Sequence, residues 1–336
     1  MLCNVLIVVL TVHFVRSDVA PQLAPKLTLH HGKEIPSLAL GTWLGNNTKG
    51  RVEPQSSEVE AAVSTAIDLG YRHIDTAFAY KVEDQAGRAV NKKIKEGAVK
   101  REDLFITTKL WNDRHAQAAV VPALRESLDK LQLEYVDLYL IHWPVGQFGN
   151  QSYDYTDYLE TWRGMLEAKE LGLARSIGVS NFNQQQIDRI IAAGLEAPEV
   201  LQVEINLNLQ QPSLLAYCKQ KNIVVMGYTP FGSLFYSKAR EDAPPPRVDD
   251  AALVEVARKY NKTVTQVTLR YLLDLGIIPI PKALKPDHIA QNFNIFDFSL
   301  SQDDKDLLKS YDKGYRTIPQ LKWLDHPYYP FEKAVV

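Results

Sequence analysis

The sequence predicts an α/β fold, a (β/α)8 barrel with an N-terminal hairpin and long C-terminal loops. Three features carry that expectation. Eight short runs rich in Val, Ile, Leu and Tyr recur along the chain, amphipathic stretches of helical period separate them, and polar residues able to do chemistry stand where the runs end. The runs cover 37–41, 71–77, 104–110, 136–142, 175–180, 201–206, 223–228 and 277–281. They are nearly continuous in apolar character, as expected of parallel strands covered on both faces. The intervening helices are clearest at 58–69, 116–131, 158–171 and 184–193.

Ahead of the first barrel strand, residues 27–35 read as a hairpin with its turn at His31-Gly32. After the seventh, residues 232–246 end in Asp-Ala-Pro-Pro-Pro, which cannot pair in a sheet, so the segment is a loop: a lid over a site, or a plain spacer. Beyond Ser310 the chain is rich in Tyr, Trp and Phe with little periodicity, a composition suited to covering an apolar opening.

Composition narrows the function. The 336 residues are 46% hydrophobic and 23% charged, enough for one large core, and a formal net charge of −2 gives no reason to expect a nucleic-acid partner. The lysines of 91–101 alternate with Glu and apolar residues, as on a solvated helix face. Residues 2–15 are apolar apart from Asn4, Thr11 and His13, too short for a membrane span of about 20 residues but suited to a secretory signal cleaved after Ser17. The expectation is a secreted, single-domain barrel over 18–336. A cytoplasmic protein with an unstructured N-terminal tail is the alternative. Cys3 would leave with the signal, so only Cys218 remains and no internal disulfide forms. Triplets at Asn46, Asn150 and Asn261 match the N-glycosylation pattern.

The chemistry is concentrated at strand ends, where barrels of this kind gather their sites. Asp75 and Lys109 end neighbouring runs, and Tyr80 follows five residues after Asp75. Alone, Lys109 reads as a stem snorkelling to solvent. Beside Asp75 it reads as a buried cation that would stabilise the Tyr80 phenolate, lower the phenol below its usual value near 10 and make it a usable general acid. His142 ends the fourth run and is either a satisfied core histidine or a second donor to the same substrate oxygen. Trp43, Phe78, Trp111 and Trp143 lie close to these ends and suggest an apolar substrate cleft. The set points to reduction of a carbonyl. No metal site is expected. A nucleophile elbow, a His-Glu-x-x-His helix and metal-spaced Cys pairs are missing from the sequence, and Asp75 with Glu204 as a hydrolytic pair would leave Lys109 and Tyr80 without roles. No Gly-x-Gly-x-x-Gly opens a helix, so a nicotinamide would need a non-Rossmann site.

From about Leu27 onward the chain resembles the aldo-keto reductases. Gly70-Tyr-Arg-His-Ile-Asp-Thr-Ala77, with Glu83 and Gly87, is similar to their first signature, although Ala86 replaces a larger aliphatic. Residues 175–182 are similar to the second and 280–292 to the third. The resemblance implies Tyr80 as proton donor, Lys109 and Asp75 tuning it, and His142 orienting the carbonyl. It implies that Ser180, Asn181 and Gln202 hold the nicotinamide carboxamide, although a Ser-Asn pair is also a common helix cap. Tyr228 would stack on the nicotinamide ring, while Thr42, Trp43, Thr229, Phe231 and Ser233 would line the cofactor path.

Lys282, Ala283, His288, Gln291 and Asn292 fall where the family meets the adenosine end. Ala283 and His288 replace the usual Ser and Arg at the 2′-phosphate, and Gln291 replaces Glu. Loss of the guanidinium removes a charged hydrogen bond worth on the order of 1.5–3 kcal/mol, which Lys282 and Lys285 would partly offset. The implied cofactor is NADPH/NADP, with NADH as an alternative. The implied partner is a small-molecule carbonyl substrate, acted on by a monomer. His142, where double-bond reductases of the family carry Glu, argues for aldehydes or ketones. The signal and aromatic tail are similar to secreted insect members that act on 3-dehydroecdysone. A cofactor-sensing regulatory subunit and a non-catalytic storage protein are the rival readings.

Overall fold

A computed structural model describes residues 22–47 and 50–332. Eight parallel strands form one sheet in chain order: Leu40–Gly41, His73–Asp75, Phe105–Leu110, Val136–Ile141, Ala174–Ser180, Val200–Glu204, Val224–Tyr228 and Ile277–Ile280. The ring closes between its ends. Ala39 N–H donates to Pro279 O at 3.2 Å, Gly41 N–H donates to Pro281 O at 3.0 Å, and Gly41 bridges Lys282 in parallel. The protein is a (β/α)8 barrel.

Every residue of the third and fourth strands is buried, which explains why the sequence pattern was continuous rather than alternating. One face meets the helices and the other fills the barrel. Helices α1 (Glu58–Leu69), α2 (Glu83–Lys95), α3 (Gln117–Leu131), α4 (Tyr158–Glu170), α5 (Gln184–Ala192), α6 (Pro212–Gln220), α7 (Ala251–Lys259), α8 (Val264–Asp274), α9 (Pro286–Phe293) and α10 (Gln302–Ser310) follow in order. Among the described residues, no helix is long and apolar enough to cross a membrane. Local chemistry fixes their ends. Asn183 and Gln186 make a reciprocal capping box on α5, and Thr263 and Gln266 do so on α8. Helix α1 stops at Gly70, whose φ of +108° and approach to Gln22 O, 2.3 Å from where a Cβ would stand, leave room only for glycine.

The N-terminal hairpin forms as expected, with Lys26–Thr28 antiparallel to Glu34–Pro36 and Gly32 at φ +81° in the turn. Its Leu29 and Ile35 join Phe105, Leu138, Leu140, Val200, Met226 and Ile278 in a core inside the barrel, so the hairpin plugs the end opposite Asp75, Lys109 and His142. A short pair, Gly146–Gln147 with Tyr153–Asp154, was not legible in the sequence because each strand has only two residues. Asn150 and Asn261 both occupy exposed turns. Residues 1–17, read as a secretion signal, lie outside the described residues.

Candidate active site

The first four strands deliver their terminal side chains to one end of the barrel. Lys109 is fully buried, and its Nζ donates to Asp75 Oδ1 at 2.6 Å, to Thr76 O at 3.0 Å and to the Tyr80 hydroxyl at 3.3 Å. All three ammonium hydrogens therefore have partners. Asp75 is itself buried, and its second oxygen accepts from Gln202 Nε2 at 2.7 Å. Thr42 caps the same strand end, donating both its N–H (3.1 Å) and its Oγ1–H (3.0 Å) to Asp75 O. The ring of His142 stands edge-on to Tyr80, 5.6 Å between centroids. Asp75, Tyr80, Lys109 and His142 thus converge.

The electrostatics correct one expectation. Rather than being drawn down by Lys109, the Tyr80 phenol is pushed well above its ordinary value by burial and by the Asp75 charge. Burial also lowers Lys109, against the pull of Asp75, so the cation offsets only part of what the apolar surroundings cost a phenolate. Tyr80 keeps a partly open face yet holds its proton firmly. Burial, with the neighbouring Lys109 charge, drives His142 well below the usual imidazole range and keeps the ring neutral. A neutral imidazole offers one N–H donor and one acceptor.

A second layer lies beside this group. Asn181, buried with φ +61°, donates through Nδ2 to His142 O at 2.9 Å and to Ser180 Oγ at 3.2 Å, and its Oδ1 accepts from the Tyr228 hydroxyl at 2.7 Å. Its left-handed backbone turns the chain out of the fifth strand, a conformation Asn tolerates better than most residues. The Ser180–Asn181 pair is not the helix cap; Asn183 is. One Gln202 amide N–H is committed to Asp75 at 2.7 Å and the other faces Met226 Sδ at 4.0 Å, which leaves its carbonyl oxygen to meet a ligand. That link was invisible in the sequence, although Gln202 and Glu204 share the barrel-facing side of their strand by simple alternation.

The seventh strand leads into a strained corner. Thr229 has φ +50°, unusual for a β-branched residue, and its carbonyl accepts from Gly232 N–H at 2.9 Å. A Cβ on Gly232 would lie 2.5 Å from Asn206 Cγ. Phe231 packs edge-on to Phe235 at 5.9 Å, and the buried Ser233 Oγ has no hydrogen-bond partner. At the closing seam, Lys282 is exposed and Ala283 buried. His288, Gln291 and Asn292 sit on α9 at helical spacing, the first two exposed and Asn292 buried.

Three of the four expected mouth aromatics gather at the opening. Trp43 stacks toward Tyr80 at 6.3 Å, and Trp111 stands edge-on to His142 at 5.2 Å. Trp143 is edge-on to Trp323, 4.9 Å away, in the C-terminal segment. Phe78 does not join them. Its ring lies under Lys130 Nζ of α3 at 3.9 Å and Lys81 Nζ at 4.6 Å, so it faces the helix layer. Trp323, one of the tail aromatics expected to cover an apolar opening, also lies 6.4 Å from Trp111 and takes a place in the wall.

Comparison with known proteins agrees with this geometry. A model of the Aldo/keto reductase family matches residues 37–313. Aldo-keto reductase AKR2E4 of Bombyx mori is 48% identical over 307 residues, 91% of this chain and 98% of its own. Aldo-keto reductase family 1 member C13 of Mus musculus is 42% identical, covering 90% of this chain and 96% of its own. The crystal structure of the Bombyx mori AKR2E4 in complex with NADP superposes with a TM-score of 0.87 at 47% identity, over 92% of this chain and all of that one. That of Bombyx mori AKR2E5 complexed with NADPH gives 0.90 at 44%, over 93% and 95%.

Proposed function

The chain belongs to the aldo/keto reductase family, and we propose that it reduces an aldehyde or ketone to the alcohol with NADPH, Tyr80 giving the proton. The observation that carries this is the Lys109 ammonium set between the Asp75 carboxylate and the Tyr80 hydroxyl. Beside them, a bound reduced nicotinamide would supply the hydride that the carbonyl carbon needs.

The residues present fit such a cofactor. Ser180, Asn181 and the free carbonyl of Gln202 would hold its carboxamide, and the Tyr228 ring would back the nicotinamide. The unpartnered Ser233 hydroxyl, with Thr42, Trp43, Thr229 and Phe231, would line the phosphate path. Lys282, with Ala283, His288, Gln291 and Asn292 nearby, would meet the adenosine end. The relatives crystallised with NADP and NADPH support the same choice. NADH would lose less here than in a chain with Arg at 288, so use of both cofactors is part of the proposal.

As the carbonyl oxygen gains charge, the Tyr80 O–H bond breaks and its proton passes to that oxygen. Lys109 then faces a phenolate and stabilises it, while Asp75, tied back by Gln202, keeps Lys109 in place. Neutral His142 donates a hydrogen bond to the same oxygen and orients it. The apolar wall of Trp43, Trp111, Trp143 and Trp323 suits a large, flat substrate, and a 3-ketosteroid such as 3-dehydroecdysone is the substrate we infer. Residues 1–17 support export, testable by N-terminal sequencing of the protein recovered from medium, and a monomeric state is testable by sedimentation. The decisive experiment follows NADPH oxidation with an aromatic aldehyde and a 3-ketosteroid. Tyr80→Phe should lower kcat by roughly a hundred- to ten-thousand-fold with cofactor affinity kept; a Phe variant within about tenfold of the wild-type kcat would overturn the assignment.

A further inference from the structure

Glu204 ends the sixth strand two residues after Gln202, fully buried, on the side of the strand that faces the site. None of its side-chain bonds goes to the catalytic residues. Its Oε1 accepts from Thr317 N–H at 2.8 Å, from the Thr317 hydroxyl and from Asn206 Nδ2 at 3.1 Å, while Oε2 accepts from Ile318 N–H at 3.0 Å. A carboxylate at a barrel strand end is therefore spent on two consecutive backbone amides of the C-terminal segment.

What that segment does next gives the contact its meaning. Five residues after Ile318 the chain makes the turn Leu321–Trp323 and sets Trp323 against Trp111 and Trp143. On the other side of the clamp, Arg316 lies over the Phe331 ring at 3.8 Å, and Phe331 packs edge-on to Trp143 at 5.7 Å. From that turn onward the segment is tied to the 146–154 strand pair, where the Tyr153 hydroxyl donates to Lys322 O at 3.0 Å and His326 Nε2 donates to Asp154 O at 3.1 Å, and to the start of α5, where Tyr328 O and Pro330 O accept from Gln186 and Asn183. The stretch carrying Trp323 is thus a strap across the mouth, and Glu204 is its barrel-side anchor.

We propose that Glu204 is a positioning residue for substrate selection: by fixing residues 317–318 it holds Trp323 in the wall and favours large apolar carbonyl compounds over small ones. This rests on the carbonyl-reductase reading, and the test separates the two. Amide hydrogen exchange at Thr317 and Ile318 needs no turnover, whereas KM for a 3-ketosteroid and for a small aliphatic aldehyde does. In Glu204→Gln, one acceptor oxygen becomes a donor facing N–H groups. Exchange at both amides should accelerate at least about tenfold, and KM for the ketosteroid should rise about tenfold or more. KM and kcat for the small aldehyde should stay within about threefold, because they depend on residues the strap does not hold. Glu204→Asp, which keeps the charge, should restore part of both effects. Unchanged exchange in Glu204→Gln would overturn the proposal. Faster exchange with an unchanged KM ratio would also overturn it, reducing Glu204 to a structural tie. Should Glu204→Gln fail to fold, Thr317→Val removes one donor at constant volume and carries the same two readouts, with no change in either again refuting the idea. A wild type inactive on every carbonyl compound would sink the reductase reading, yet the exchange result would still decide whether Glu204 anchors the strap.

Discussion

Substituting Lys109 by Met tests whether the Asp75–Lys109 pair is a charged unit or merely two neighbours. Methionine fits the space of the lysine stem but removes the ammonium and its three hydrogen bonds, leaving Asp75 with one partner, Gln202. Both side chains are almost wholly withdrawn from water, 0% and 3% exposed. Breaking such a pair from one side strands the other charge and costs about 3–5 kcal/mol, a large part of the roughly 5–15 kcal/mol that holds a domain folded. Urea unfolding followed by tryptophan fluorescence measures it. Asp75→Asn added to Lys109→Met removes the stranded charge and still leaves an oxygen for Gln202 Nε2. The double variant should recover most of the lost stability, while turnover stays absent in both because no cation faces the Tyr80 oxygen. Equal stability of single and double variants would refute the charged-pair account, as would a single variant that loses less than about 1 kcal/mol.

Other expectations follow from the same geometry. Because Tyr80 is held up and His142 held down, kcat for reduction should be flat through neutral pH. It should fall on the alkaline side before a free lysine would titrate, as Lys109 loses its proton; a step near pH 7 would refute this. Burial lowers His73 to about 3 and His115 to about 4, so each binds fewer protons when folded. The stability tied to them is complete above the unfolded histidine value of about 6.5 and is lost, at up to about 1.4 kcal/mol per pH unit each, as pH falls from there toward 4 and then 3. Urea midpoints at pH 7, 6 and 5 measure the slope, which His115→Asn should lessen. Gly232→Ala combines φ +46° with a Cβ 2.5 Å from Asn206 Cγ, and should cost about 1–3 kcal/mol and weaken cofactor binding seen by fluorescence quenching.

The barrel was legible because strands covered on both faces write themselves as unbroken apolar runs, and all eight appear within one to three residues of the expected bounds. The first is the exception that shows the limit: of 37–41 only Leu40–Gly41 pairs with the next strand, since what precedes it serves the hairpin and the seam. That Asp75, Lys109 and His142 stand at or just past strand ends, with Tyr80 in the turn that follows Asp75, was legible from the runs they close. The failures involve direction and coupling. Position alone did not tell that Phe78 turns outward to Lys130, since the turn 78–80 is a single 3-10 coil. The acidity of Tyr80 depends on how much protein surrounds it, which no motif encodes. The Gln202–Asp75 and Glu204–Thr317 bonds join residues more than a hundred positions apart, and polar partners at that range leave no periodic trace.

The seam of the barrel has a consequence for how the protein is made. Its ring is shut by contacts between Ala39–Gly41 and Pro279–Lys282, so a nascent chain cannot complete the cylinder until nearly all of it has left the ribosome. Until then the first seven strands can form at most an open sheet with two bare edges, a template for pairing with other chains. The shortness of the opening strand limits that exposure on one side. On the other, the strand from Val224 to Tyr228 must wait, through a long loop and two helices, for the one segment that ends its vulnerability.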